Sequence, residues 1–277
     1  MGFGLFGMLL ALAMGQAEPR EDAETLLRRV ANNQEHNQEL QRQYTYIETV
    51  VTEHLRKNGT ASKRKEEAFQ VTPAPGGEYR RLVARRGQPL TAKDEEKEER
   101  KFQEYLEKQL ELSPAELEKK QENLKKRLGR FDSRIKESLE VFQFTPLPDE
   151  ELSGRRVRVF DLSPRPGYEP HSRATDLLSR VEGTIWIDPE HNQIAKLYLR
   201  FREDMKFIGG LFGRISKGTE AVAELSHVED ELWLLHHVQV RLLGRFYFVK
   251  RYNRRLDFTY SDYRKFTVTT EEKVATQ

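Results

Sequence analysis

The stretch from Val181 to Phe266 constrains this chain more than any other. Apolar and polar residues alternate along it in long runs, and Gly, Pro and Asn separate the runs. Ile185 and Ile187 alternate with Trp186, which falls on the opposite face, and Ala195, Leu197, Leu199 and Phe201 form one face of the next run. Leu232, Leu234, His236, Val238, Val240 and Leu242 share a face, as do Phe246, Phe248, Tyr252, Leu256, Phe258 and Tyr260. A period of two demands strands, and short connections demand that they run antiparallel. Four or five long antiparallel strands therefore form the centre to which the other segments attach. Gly244 marks a bulge or turn among them. Lys250 and Arg254 fall on the aromatic face of the last strand; either a bulge turns them to solvent, or they need partners inside.

The segments before this centre read in order. Glu21 to Gln41 is a helix with Leu26, Leu27, Val30 and Leu40 on its apolar face. Gln43 to Arg56 has strand chemistry, and Asn58-Gly59 predicts a type I′ hairpin to a second strand, Ser62 to Val71. A third strand covers Glu78 to Arg86. Thr91 to Leu139 holds two helices that meet at Ser113, because Ser113-Pro114-Ala115-Glu116 carries a cap, a first-turn proline and a capping-box carboxylate. Phe102, Leu106 and Leu110 stripe the first helix; Leu117, Leu124, Leu128, Phe131, Ile135 and Leu139 stripe the second. A helical hairpin results, lying with one stripe on the sheet or on itself, its charged side solvated. Val141–Phe144 and Arg155–Leu162 are short strands, with Pro146, Pro148 and Gly154 breaking the chain between them. Phe207 to Gly213 sets four large apolar residues among three glycines, so it is either a loop tucked over the end of the core or an apolar lid over a cavity.

Composition removes whole classes of function. The 277 residues can bury a real core, yet the formal net charge is only +2, so no global basic field points to nucleic acid. Cysteine is absent, which excludes disulfides, thiolate metal sites and a cysteine nucleophile. The seven histidines do not cluster in sequence, and adjacent His236 and His237 point to opposite faces of a strand, so no metal or other cofactor is expected. No nucleophile stands with a base and an orienting group, and the expectation is a protein that is not an enzyme. Basic residues dominate from Arg241 to Lys265. They either keep an exposed sheet edge soluble or attract anionic headgroups or an acidic partner. Phe3 to Met14 is apolar and followed by small residues. It is read as a signal peptide over residues 1–17, with a single domain over 18–277 and residence in the periplasm or outside the cell.

The strand Gly183-Thr184-Ile185-Trp186-Ile187-Asp188, followed by a turn and Ile194-Ala195-Lys196-Leu197, resembles the periplasmic outer-membrane lipoprotein-carrier (LolA-like) superfamily. The N-terminal helix, the long strands and the helical insertion over 91–140 support the likeness. The resemblance implies an α+β fold: a strongly curved, unclosed antiparallel half-barrel with helices on its concave face and acyl chains held between them. The expected function is a non-enzymatic carrier or binder of a hydrophobic ligand such as a lipid or a lipoprotein acyl chain. Its expected lining is Trp186, Leu197, Leu199, Phe201, Phe207, Ile208, Leu211, Phe212, Leu234, Phe246, Phe248, Lys250, Tyr252 and Arg254. The alternative is an envelope protein-interaction or stress-sensing module that works through the helical hairpin, and peripheral membrane contact is open to either.

Overall fold

The computed structural model describes residues 22–74, 77–207, 213–228, 232–246 and 250–266. The apolar N-terminal segment lies outside the described residues, as do Ile208, Leu211, Phe212 and Phe248. Helix α1 (Ala23–Gln41) starts at Asp22, whose carboxylate accepts from the Thr25 backbone N–H at 2.8 Å and from its hydroxyl at 2.9 Å. Leu26, Leu27 and Val30 bury its apolar face as the spacing predicts.

Strands β1 (Tyr44–Leu55), β2 (Ala61–Ala74) and β3 (Gly77–Arg85) form a meander ended by the short β4 (Gln88–Pro89). The β1–β2 turn differs from the type I′ expectation. Arg56 accepts from the Gly59 N–H at 3.0 Å and donates to the Thr60 carbonyl at 2.8 Å, and of Asn58 and Gly59 only Gly59 has positive φ. Three residues intervene rather than two, so a left-handed glycine closes an ordinary turn.

Helix α2 (Ala92–Leu110) and helix α3 (Pro114–Val141) follow, and the capping box at Ser113 and Glu116 is present. Their apolar stripes have different fates. Helix α2 buries none of its residues, and Leu110 is 87% exposed. It meets the sheet through Phe102 and Tyr105, which stack near Tyr79, and through Glu99, which pairs with Arg81. Helix α3 buries Leu124, Ile135, Leu139 and Val141; the side chains of Leu128 and Phe131 lie outside the described residues.

Strands β5 (Phe142–Leu152) and β6 (Arg155–Pro164) are longer than expected and run through Pro146 and Pro148. The reason is position: β5 is the last strand of the sheet, and a proline's missing N–H costs nothing on an unpaired edge. After helix α4 (Arg173–Leu178) come β7 (Val181–Asp188) and β8 (Gln193–Phe201). Strands β9 (Met205–Phe207) and β10 (Gly213–Ile215) then pair as a small hairpin, so strands flank the segment expected to be a loop or lid. Strands β11 (Glu220–Val228), β12 (Leu232–Phe246) and β13 (Lys250–Lys265) complete the chain.

All pairings are antiparallel, in the order β4-β3-β2-β1-β13-β12-β11-β8-β7-β6-β5, with β10 joining β12. The sheet is open and curled, and the fold is α+β. The basic strands β12 and β13 lie in its middle, so the expectation of a basic exposed edge is corrected: β1 closes over β13 and removes that edge. Pairing of β12 with β13 runs without a register shift from His237–Thr259 to Phe246–Lys250. Gly244 is therefore no bulge. A Cβ there would stand 2.4 Å from the Arg214 carbonyl oxygen, so glycine admits β10. Arg254 likewise stays on the aromatic face, with its guanidinium 4.6 Å over the Tyr252 ring.

Residues directly opposite in antiparallel strands share a face. Two apolar rows follow. One runs Phe144, Leu162, Gly183, Leu199, Ala221, Val240, Leu256; the other runs Pro146, Phe160, Ile185, Leu197, Ala223, Val238, Phe258, Val50. Helices α1 and α3 pack on the β5–β8 end of these rows, where Leu26, Leu27, Ile135, Leu139, Phe160, Leu162 and Ile185 form the main core.

Candidate functional site

The covered end of the sheet is not filled. A cavity of about 320 Å³ lies between the helices and the sheet. Phe142 and Phe144 of β5, Leu162 of β6, Ile185 of β7 and Ile194, Leu197 and Leu199 of β8 make its floor; Leu27 of α1, Ile135 of α3, and Ala174, Leu177 and Leu178 of α4 make its roof. Among the described residues Ser138 supplies the lining's one polar side chain, and its hydroxyl donates to the Ile135 carbonyl at 2.6 Å. Among the described residues no ionisable side chain lines this space. Its size sits at the lower end of the roughly 300–1,000 Å³ typical of ligand pockets. At about 24 cal/mol per Å³ of void, leaving such a volume empty and closed would cost at most roughly 8 kcal/mol. Water gains little in a space so poor in partners. The described lining suits an aliphatic chain, and among the described residues it holds no group for acid–base or nucleophilic chemistry.

Gly183 keeps the floor in register. A Cβ at this position would stand 1.9 Å from the Tyr198 carbonyl oxygen and 3.1 Å from a Leu199 methyl. Only glycine lets β7 and β8 approach there.

The fourteen expected lining residues disperse. Leu197 and Leu199 line the cavity, and Phe201 packs against the same core. Trp186 does not reach the cavity, because it alternates with Ile185 and stands on the other face. There its indole N–H donates to Glu150 at 2.9 Å, and the Lys196 ammonium lies 5.2 Å from its ring. Leu234 is buried with Tyr44 and Leu232 against Leu40, away from the cavity. Tyr252 and Arg254 line a separate polar cleft. Phe207, Phe246 and Lys250 end β9, β12 and begin β13. Ile208, Leu211, Phe212 and Phe248 lie outside the described residues. Sequence reasoning passed over helix α4 altogether. Its signal was present: Ser172 caps the Thr175 N–H, and Ala174, Leu177 and Leu178 fall at i, i+3 and i+4.

The aspartate that closes the Gly-x-Ile-Trp-Ile-Asp strand is structural. One Asp188 carboxylate oxygen accepts from the Trp233 indole N–H and pairs with His191 Nδ1, each at 2.9 Å; the other accepts the backbone N–H groups of Glu190 and His191. Burial pushes this carboxyl up, but those hydrogen bonds outweigh it and hold the group below the ordinary 3.8. Gln193 extends the network, accepting from the Trp233 N–H at 2.8 Å and donating to Asn37 of α1 at 3.4 Å. Among the described residues Asp188, Glu190 and His191 form the group whose ligand atoms could approach a metal, within 4.8 Å of one another. Trp233 and the turn amides already use Asp188 fully, so the trio reads as a turn lock. A second titratable cluster, Tyr46, Tyr260 and Tyr263, packs on Glu48 and Glu78; burial raises all three phenols, Tyr260 to about 12. They stay protonated and serve as packing.

No protein-family model matches the chain, and no curated protein matches it. The structure is similar to a putative outer membrane lipoprotein-sorting protein domain from Vibrio parahaemolyticus, with 14% identity over 90% of this chain and 96% of that one and a TM-score of 0.38. It is similar to a LolA superfamily protein from Nitrosomonas europaea, with 8% identity over 90% and 95% of the two chains and a TM-score of 0.29. It is also similar to a chain of the Pseudomonas aeruginosa MucA/MucB complex, with 10% identity over 90% and 100% and a TM-score of 0.26. Among the described residues no helix is long and apolar enough to cross a membrane.

Proposed function

We propose that the protein is a non-enzymatic carrier or binder of a hydrophobic ligand, a lipid or acyl chain, held in the cavity between α1, α3, α4 and β5–β8. The observation that carries this reading is the chemistry of the lining: twelve apolar side chains and one internally satisfied serine around about 320 Å³. Export to the periplasm or beyond is part of the same reading and rests on the apolar run Phe3–Met14. Native mass spectrometry of protein recovered from its own secretion route, followed by organic extraction, tests it. Near-stoichiometric lipid is expected, together with uptake of a fluorescent fatty acid by delipidated protein. Leu197→Trp, which fills the floor of the cavity, should abolish that uptake while the fold persists by circular dichroism. A clean apo mass with no fatty-acid uptake would sink the proposal.

A second reading has one observation behind it. Helix α2 buries none of its residues and presents Leu106 and Leu110 to solvent, which suits a protein partner better than a sheet-covering role. Removing residues 91–139 cannot test it, because Ile135 and Leu139 would leave the core. Leu106→Glu with Leu110→Glu can: loss of a co-purifying partner with lipid uptake intact supports it, and unchanged partner recovery argues against it.

A further inference from the structure

A polar cleft of about 500 Å³ lies where β10, β12, β13 and the β1–β2 turn come together. Its lining carries Lys57, Arg214, Arg245, Arg251, Arg254 and His54 and, among the described residues, no Asp or Glu. The strand register explains the convergence. Arg214 on β10 stands opposite Arg245 on β12, and Arg245 stands opposite Arg251 on β13. Three arginines therefore sit side by side across three adjacent strands, although like charges directly opposite destabilise a sheet. Four residues further along, the same face is built differently. There Arg255 and Arg241 again stand opposite each other, but Glu53 and Glu220 flank them on the adjacent strands, and Arg255 meets Glu53 at 3.0 Å. Asp204 engages Arg214 at 3.1 Å, but the Arg214 Nε is buried and has no acceptor among the described residues. Among those residues no ion pair engages Arg245, Arg251 or Lys57.

We propose that this cleft binds a phosphate group carrying two negative charges, whether free or at the end of a phospholipid. Planar guanidinium forks match phosphate oxygens in pairs, and a dianion relieves the repulsion of the arginine row where a single carboxylate would leave most of it. The cleft is separate from the apolar cavity. No residue lines both: Arg214, Arg245 and Arg251 point to the face opposite the Val240 and Leu199 row, and His54 and Arg254, on the row's own face, stand on β1 and β13 rather than on β5–β8. The proposal therefore stands or falls independently of the carrier reading.

Two probes distinguish the sources. Calorimetry with inorganic phosphate and with glycerol 3-phosphate reads the free group. Cosedimentation with vesicles of equimolar phosphatidic acid and phosphatidylcholine, against phosphatidylcholine alone, reads the headgroup. Arg245→Gln with Arg251→Gln should weaken free phosphate binding roughly tenfold per arginine and vesicle binding about fivefold per arginine. The same double variant should melt no lower than the parent, since it removes like-charge repulsion, and fatty-acid uptake should not change. Lys57→Gln, on the exposed turn, provides a milder loss in the same direction should the double variant misfold. Binding of phosphate alone assigns a soluble ligand, and binding of phosphatidic acid vesicles assigns a membrane headgroup. Failure of both probes at physiological ionic strength, or equal binding by parent and variants, overturns the proposal.

Discussion

Two regions of the sheet, its β5–β8 end and its β12–β13–β1 middle, share the same apolar rows and differ in what covers them. Over β5–β8 three helices return across the rows, and Phe160, Leu162 and Ile185 are almost wholly buried. Over β12, β13 and β1 the continuation of those rows, Val238, Val240, Leu256, Phe258 and Val50, is only half-buried. The lesson is that alternation makes a face, but only a second layer makes a core or a cavity from it.

Paired substitutions in the two regions can break that contrast. The largest effect is expected at Gly183→Ala, which forces a Cβ onto the Tyr198 carbonyl within the covered half. A loss of about 3 kcal/mol is expected from chemical denaturation, as for a severe overpacking change. Gly244→Ala makes a comparable clash with Arg214 but disturbs only the short β10, so about 1 kcal/mol is expected there. Equal losses would show that the two regions are equally coupled. Leu162→Ala, in the cavity floor, should cost about 3 kcal/mol, whereas half-buried Val240→Ala should cost about 1 kcal/mol.

The Asp188 lock comes next. Asp188→Asn leaves a buried donor without its charged acceptor and should cost about 2 kcal/mol near neutral pH. The folded carboxyl titrates below the ordinary 3.8, so its stabilisation is full above that value and is lost as pH falls through the lower folded pKa. The gap between parent and variant should therefore narrow in acid; a gap constant with pH would show that the carboxylate's charge is not what the lock uses. The smallest effect is expected from Leu110→Ser, within about 0.5 kcal/mol, because that side chain is 87% exposed. A larger loss by thermal melting would mean that helix α2 packs more tightly than its exposure implies.

Much of the frame was legible because it is local. The Ser113 capping box, the α1 face at Leu26, Leu27 and Val30, and the strands β7 and β8 follow from spacing and cap chemistry within a few residues, whereas the run read as one strand from Phe246 to Tyr260 is divided, with Phe246 ending β12 and Lys250 opening β13. The candidate site was legible only in part. Leu197 and Leu199 reach the cavity floor and Trp186 stands on the other face, both by strand alternation, since a motif names residues without saying which face a second layer will cover. The prolines of β5 misled for a related reason: whether Pro146 breaks a strand depends on whether that strand has a neighbour, which is a property of strand order.

By itself, then, the sequence determined most of the longer helices and strands, which side chains share a face along each, and the absence of cysteine chemistry, since each depends on backbone sterics and short-range spacing. Only the tertiary structure decided that β13 pairs with β1 and so moves the basic strands to the middle of the sheet. It alone set helix α4 as part of the cavity roof and aligned Arg214, Arg245 and Arg251 in one row. Those outcomes depend on contacts between residues far apart in the chain, where register and layer order, rather than local preference, set which groups meet.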